Sequence, residues 1–511
     1  MTTVLHAPAA VRGTLRPALR AGFVAFVLGI VVQWWSLRTG VNFAFWDAQA
    51  HLDIARRVVD SVTPGLQMLG TVWLPVPHLL MLPFTLVDAW WWSGVAGGIV
   101  GLAAYVTTVT SMHLLLVRRT DERLAWIGTT FVLLNPSLLY LQTTAMTEPM
   151  LLAFLVASAA AIDHWNDCDS RRSLLVAGLF AALAVGSRYD GWFFALIATP
   201  SIAWLSWRRK GRWYRDAALF AVPCAMMGAA WLGYNWAYFG DALEFQRGVW
   251  SAQSQQNAMV VLPTKGDLLQ SVATYCGAAA LSAGVVLFAL GLLAIPALLR
   301  RWPQSAAALL LLTVLPFNIL TLFGGQSAIE IPWGAHPGIL NLRYGLMVLP
   351  GMAAAVTLVA AGLCARGPRW RMGTQLAALV AVVTQLALFG THWPASVGAL
   401  REGLAIRDGD RRQQAASDWL AGHYDGGRIL VDEAVNVSPR TRIALRDRIY
   451  SWTWQLGTNA LAEPESAVDW VLVDRHHLGG KVLGAIDGRE VFRNRFDRTF
   501  AQDGLEIWRR R

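Results

Sequence analysis

The sequence predicts a polytopic α-helical membrane protein with about eleven transmembrane helices and a small soluble α/β domain at the C-terminal end. Two observations support this fold class. Of the 511 residues, 55% are hydrophobic and 15% are charged, whereas soluble domains contain about 25% charged residues. The hydrophobic residues lie in long runs up to residue 392, after which the composition becomes mixed. We therefore predict a transmembrane domain at residues 1–392 and a soluble domain at residues 393–511.

Apolar runs long enough to cross about 30 Å of hydrocarbon define the predicted spans. They cover residues 21–35, 92–117, 125–141, 150–162, 174–187, 192–207, 217–238, 269–299, 306–323, 344–364 and 372–388. The run at 72–87 is left out because Pro75, Pro77 and Pro83 interrupt it. We predict an interfacial or re-entrant segment there.

Basic residues follow every second predicted span, as at Arg118-Arg119 and Arg300-Arg301. Because Lys and Arg concentrate in short cytoplasmic loops, this alternation puts the N-terminus inside and the C-terminal domain outside. A span at 72–87 would break the alternation. We expect a multi-pass protein of the inner (plasma) membrane with an extracytoplasmic C-terminal domain. The first apolar run continues through Trp34-Trp35 without a small-residue cleavage site, so we expect an uncleaved first span.

Charge and motifs argue against several classes of function. The net charge of +10 lies mostly in short loops, where membrane orientation explains it, so no nucleic-acid partner is predicted. The four cysteines form no CxxC pair, and neither a disulfide framework nor a zinc site is indicated. No cofactor is predicted, and a divalent metal is possible but not indicated. No P-loop, GxSxG or HExxH motif occurs, so an enzyme that builds a bond would need an already activated substrate.

Residues 393–511 read as a small α/β domain. The predicted elements are a helix at 410–421, buried strands at 428–432 and 470–474, and a terminal hairpin at 496–508 with the turn dipeptide Asp503-Gly504. The pair His476-His477 suggests a metal site, but adjacent side chains in a strand point to opposite faces. We therefore predict no metal ligand.

Ionisable residues collect on the predicted outer side. The spans at 150–162 and 174–187 are short, so Glu148 and the pair Arg188 and Asp190 are expected below the lipid surface, facing a water-filled cavity. The alternative is local thinning of the bilayer with snorkelled side chains. Either way, these charges lie on the same predicted side as the first outer loop.

That first outer loop carries Asp47, the first acidic residue of the chain, and His51. Helical spacing of four residues places both on one face, where a carboxylate and an imidazole can converge on one ligand. The alternative is an amphipathic interfacial helix with solvated charges. Asp47 is thus a candidate base on the outer side, where Arg343 is a candidate cation for a phosphate leaving group.

The sequence resembles the GT-C superfamily of integral membrane glycosyltransferases, in particular the branch of protein mannosyltransferases and aminoarabinose transferases. The resemblance covers most of residues 20–390 and rests on the segments Phe45-Trp46-Asp47, 70–78, Thr147-Glu148-Pro149, 187–192 and 341–344, with an outer domain at the end. Many relatives carry a second acid directly after the first, whereas Ala48 follows Asp47 here. This departure leaves the acceptor class open.

The resemblance implies transfer of a hexose or pentose from a polyprenyl-phosphate donor to an acceptor on the outer side, with inversion at the sugar. It matches Asp47 to the catalytic base and Arg343 to a position that binds the lipid phosphate. His51, Glu148, Arg188, Tyr189 and Asp190 are expected to contact substrate, although the three charged residues at 148–190 can equally form structural ion pairs. A transporter or flippase of a lipid-linked sugar is the alternative, with the same groups forming a binding path.

Overall fold

The computed structural model describes residues 11–210, 212–248, 251, 254 and 262–511. The described residues form two compact units. Unit one contains those of Met1–Thr39, Thr71–Pro77 and Gly98–Gly403; unit two contains Gly40–Gly70, His78–Gly97 and Leu404–Arg511. The predicted domain boundary after residue 392 stays a prediction.

Helices dominate the chain. The α-helices span Val11–Thr39, Trp46–Arg57, Pro75–Thr85, Asp88–Ser93, Val95–Arg119, Glu122–Leu133, Pro136–Leu141, Glu148–Cys168, Arg171–Val185, Tyr189–Lys210, Trp213–Phe239, Glu244–Arg247, Leu268–Ala283, Val285–Arg300, Ala306–Leu311, Val314–Phe323, Leu349–Cys364, Pro368–Thr391, Gly398–Gly409, Arg411–His423, Trp454–Ala462, Pro464–Ala467, Lys481–Ile486 and Glu490–Arg495. Short 3-10 helices cover Val41–Phe43, Leu66–Leu69, Leu342–Val348, Pro439–Thr441 and Leu445–Asp447.

The prediction of a polytopic helical membrane protein is confirmed. Within the described chain, six segments are long and apolar enough to cross a membrane: Thr14–Thr39, Val95–Arg119, Trp213–Phe239, Ala306–Phe323, Leu342–Cys364 and Pro368–Thr391. Their outer surfaces carry exposed apolar side chains such as Phe23, Met226 and Met372, as expected where lipid replaces water. The count of eleven spans is not confirmed.

The predicted single span at 269–299 is wrong, because two helices meet at Gly284. Gly284 has φ +106°, a conformation that side chains disfavour. The buried amide of Gln385 caps the second helix there, accepting from the N–H groups of Val286 at 2.8 Å and Leu287 at 3.2 Å. A Cβ on Gly284 would overlap the Gln385 side chain. The apolar pattern runs on through this break, which is why the sequence does not reveal it.

The predicted short span at 150–162 is also wrong, whereas its neighbour is short as expected. The helix Glu148–Cys168 has 21 residues and continues past Asp163. Asp163 is buried and pairs with Arg119 at 2.7 Å, so its charge does not end the helix. The next helix, Arg171–Val185, has 15 residues.

The C-terminal part of the chain contains a five-stranded sheet in the order β2-β1-β3-β5-β4. Its strands are β1 (Ile429–Val431), β2 (Arg448–Ile449), β3 (Trp470–Asp474), β4 (Phe496–Gln502) and β5 (Leu505–Arg510). Strand β1 lies parallel to β2 and β3, while β5 is antiparallel to β3 and β4. Asp503 and Gly504 form the turn between β4 and β5, both with positive φ. The predicted helix, buried strands and hairpin of this region are confirmed.

Asp410 precedes the helix Arg411–His423, and its Oδ2 accepts from the Trp46 indole N–H at 3.0 Å. Burial raises the pKa of Asp410 to about 6, although Trp46 and Arg412 act in the opposite direction. The folded protein thus holds this proton more tightly than the unfolded chain, and stability should fall as the pH rises from about 4 to about 6.

Asp410→Asn keeps an acceptor for Trp46 but does not titrate, so it should remove this part of the pH dependence. The difference in unfolding temperature between the two proteins, followed across that pH range in one detergent, measures the effect. An identical pH profile for both proteins would contradict the assignment.

Candidate active site

Unit one contains a buried cluster of five charged residues. Glu148 opens the helix Glu148–Cys168, Arg188 and Asp190 lie at the start of the helix Tyr189–Lys210, and Arg343 lies in the 3-10 helix Leu342–Val348. The fifth residue, Glu402, comes from the helix Gly398–Gly409. The four residues predicted from the sequence are thus brought together, and Glu402 joins them.

Arg188 binds the two carboxylates on its own side of the cluster. Its Nη1 donates to Glu148 Oε1 at 3.1 Å, and its Nε donates to Asp190 Oδ2 at 3.3 Å. The guanidinium also lies 4.7 Å from the centre of the Tyr344 ring. With 18% of its side chain exposed, Arg188 is the more accessible of the two arginines.

Arg343 lies between two buried carboxylates. Its Nε is 3.3 Å from Glu148 Oε1, and its Nη1 donates to Glu402 Oε1. Glu402 also accepts from the backbone N–H groups of Asn341 at 2.8 Å and of Arg343 at 3.1 Å. Only 5% of the Arg343 side chain is exposed. This arginine therefore already has strong partners in the protein.

The charges of this cluster nearly balance, with three carboxylates facing two guanidinium groups. Glu148 is fully buried, and its Oε2 has no hydrogen-bond partner among the described residues. Buried charges of this kind need close partners, because removing one partner leaves the other as an unpaired charge in a low-dielectric environment. In the folded protein these five residues therefore form a network of ion pairs.

The sequence pattern did not predict two residues of the site. Glu402 lies in the stretch predicted to be soluble, 59 residues from Arg343 along the chain. Asn318 donates to Asp190 Oδ1 at 3.0 Å and is buried. A signal for Asn318 was present, because it is a lone amide within an apolar run and such groups rarely face lipid.

Close backbone contacts position the arginines. A Cβ on Gly191 would overlap the backbone of Ala184, so glycine lets the helix that follows Arg188 approach the one before it. A Cβ on Gly345 would likewise overlap the backbone of Ala278. The predicted substrate contact Tyr189 stacks on Phe245, with ring centres 5.4 Å apart.

The other predicted residues, Asp47 and His51, belong to unit two. Asp47 lies half-buried in the first turn of the helix Trp46–Arg57, a favourable place for a negative charge. His51 is one turn later and is 2% exposed, with its Nδ1 2.9 Å from Nε2 of His78. The predicted helix is therefore confirmed, and the imidazole of His51 is held by a second histidine that the sequence reading left without a role.

Comparison with known proteins supports the resemblance. A sequence model of the dolichyl-phosphate-mannose-protein mannosyltransferase family matches residues 89–239. A search of the curated proteins found no significant match. ArnT from Cupriavidus metallidurans, solved with undecaprenyl phosphate, matches with a TM-score of 0.56 and 13% identity, over 95% of this chain and 97% of that one. The archaeal oligosaccharyltransferase AglB from Archaeoglobus fulgidus, solved with an inhibitory peptide and a dolichol-phosphate, matches with a TM-score of 0.46 and 12% identity, over 91% of this chain and 69% of that one.

The match to ArnT extends over nearly the whole of both chains. At this level of identity it establishes the fold and leaves individual residue roles to be tested. The chain therefore shares the fold of ArnT, in agreement with the resemblance that its motifs carry.

Proposed function

We propose that this protein is a membrane glycosyltransferase that moves a hexose or pentose from a polyprenyl-phosphate donor to an acceptor on the extracytoplasmic side of the inner membrane. The observation that supports it most is the fold shared with ArnT along 95% of the chain, since that protein was solved with undecaprenyl phosphate bound. The family matched at residues 89–239 is likewise named for a lipid-phosphate sugar donor. The acceptor class stays open.

In the proposed reaction Asp47 is the general base. Its carboxylate takes the proton from the acceptor hydroxyl or amine as the acceptor attacks the anomeric carbon of the donor. The bond between that carbon and the phosphate oxygen breaks, and the polyprenyl phosphate leaves with the electron pair. Attack opposite the leaving group inverts the anomeric centre. The role predicted for His51 in binding substrate stays a prediction.

Arg188 and Arg343 are proposed to bind the phosphate of the donor. Guanidinium groups suit this role because they present several N–H donors to phosphate oxygens. Arg188 is the stronger candidate, since more of its side chain is exposed than that of Arg343. Arg343 pairs with both Glu148 and Glu402. We therefore propose that it also positions these two carboxylates.

The test uses the full chain in lipid nanodiscs, supplied with a panel of polyprenyl-phosphate pentoses and hexoses and with a cell-envelope extract as acceptor. Release of polyprenyl phosphate, measured by mass spectrometry, reports transfer whichever acceptor is used. At least one donor is expected to be consumed. If no donor in the panel is consumed, while liposomes containing the protein move a donor across the bilayer, the transporter alternative is correct.

Arg188→Lys is expected to raise the KM for the donor by about tenfold, because lysine keeps the charge but loses the planar fork that binds phosphate. The retained charge continues to face Glu148 and Asp190, so the unfolding temperature should change little. Arg300→Lys, at an exposed helix end, is the matched control. Equal donor KM values for Arg188→Lys and the control would contradict a phosphate-binding role.

A further inference from the structure

Three potential metal ligands meet at one edge of the C-terminal sheet. Asp432 and Glu433 directly follow β1, and His477 follows β3. Because β1 and β3 are parallel neighbours, the turns after their carboxyl ends lie side by side. One ligand atom from each of the three side chains lies within 4.8 Å of the others.

The sequence-based argument against a metal site here was that His476 and His477 lie in a strand. That premise is wrong, because β3 ends at Asp474 and both histidines lie in the turn beyond it. Within this turn the two histidines contact different partners. His476 lies 3.1 Å from Arg412, whereas the Nδ1–H of His477 donates to Asp432 at 2.6 Å.

Asp432 is rigidly placed for ligation. It is fully buried, and its Oδ1 also accepts from the backbone N–H of Ala434 at 2.9 Å. Gly480 leaves room for the His477 ring, since a Cβ there would lie 2.5 Å from Nδ1. The Asp432 carboxylate and the His477 imidazole are therefore held together by the backbone around them.

Glu433 supplies the independent indication of a ligand. Both of its carboxylate oxygens are shielded from solvent, and neither has a hydrogen-bond partner within the described part of the chain. Two arginines of this domain pair with other carboxylates, Arg412 with Asp474 at 2.8 Å and Arg475 with Glu506 at 2.9 Å. A shielded carboxylate without a partner is costly and is relieved by a bound cation.

We propose that Asp432, Glu433 and His477 bind a divalent transition-metal ion of the zinc type. One imidazole nitrogen with two carboxylate oxygens is a donor set that suits zinc, whereas calcium and magnesium favour oxygen ligands alone. The ion replaces the proton that His477 shares with Asp432. Since 35% of the His477 side chain is exposed, water completes the coordination. The site links the turns after β1 and β3 and is independent of the proposed sugar transfer.

The experiment titrates zinc chloride into the chelator-treated full chain by calorimetry, with metal content after dialysis measured by mass spectrometry. One ion per chain is expected. His477→Gln and Glu433→Gln should each weaken binding at least tenfold, while His476→Gln, the adjacent histidine outside the cluster, should bind as the parent does. The unfolding temperatures of the metal-free variants establish that each is folded.

Two results would overturn the proposal. One is a parent protein that retains no zinc after dialysis, which would leave the cluster as a structural hydrogen bond between Asp432 and His477. The other is equal zinc affinity in His477→Gln and His476→Gln, which would place the ion elsewhere. If His477→Gln fails to fold, Glu433→Gln serves as the second variant, because the Glu433 carboxylate has no hydrogen-bond partner among the described residues whose loss would unfold the turn.

Discussion

Asp47→Asn is expected to lower the rate of sugar transfer by about 100-fold to 10,000-fold, the usual contribution of a general base. Asparagine has nearly the same shape as aspartate but cannot accept a proton from the acceptor. The substitution lies in the first turn of the helix Trp46–Arg57, where a negative charge contributes about 0.3–1 kcal/mol through the helix dipole. The protein should therefore fold and still bind its donor.

The measurement is release of polyprenyl phosphate at saturating donor, together with the unfolding temperature. Asp88→Asn is the matched control, because Asp88 also lies in the first turn of a helix of unit two and is half exposed. Transfer at the parent rate by Asp47→Asn would rule out the proposed base. A loss of activity in both variants would point to a general effect of charge instead.

Arg343→Met is expected to destabilise the protein by about 3–5 kcal/mol, the range seen when one partner of a buried ion pair is removed. Methionine fills much of the same volume, but Glu402 then lies fully buried without its guanidinium. Glu148 keeps Arg188 as a partner, so most of the loss should arise at Glu402. The free energy of unfolding by denaturant in a fixed detergent measures the effect.

The double variant Arg343→Met with Glu402→Gln separates structure from function. Neutralising Glu402 removes the unpaired charge, so much of the stability should return. If Arg343 binds donor phosphate as well, transfer stays low in the double variant. If its role is structural alone, transfer recovers together with stability. Arg300→Met is the control and should leave both transfer and stability unchanged.

Local pattern predicts those features of this protein that depend on residues close together in the chain. Hydropathy identifies the membrane helices because each must satisfy its backbone within one continuous apolar segment. The hairpin at Asp503-Gly504 is predicted because two adjacent residues with positive φ define its turn. The helical spacing of Asp47 and His51 belongs to the same class, and so do the motifs on which the resemblance rests.

Packing decides the features that join distant segments. Gln385 caps a helix about one hundred residues earlier and so breaks a span at Gly284. Glu402 holds Arg343, and Asp432 meets His477 across 45 positions. No periodicity encodes such pairs, because hydrophobic pattern specifies which face of an element is buried but not which polar group of another element it meets.

The charged residues at 148–190 show most clearly what local sequence predicts and what only the packing of helices decides. The sequence identifies Glu148, Arg188 and Asp190 as ionisable groups at the ends of apolar helices, and it leaves open whether they face substrate or one another. In the folded protein they are close enough to form ion pairs, at 3.1 Å and 3.3 Å. Distances of that kind follow from how the helices pack, since a buried charge is stable only where another element supplies its partner.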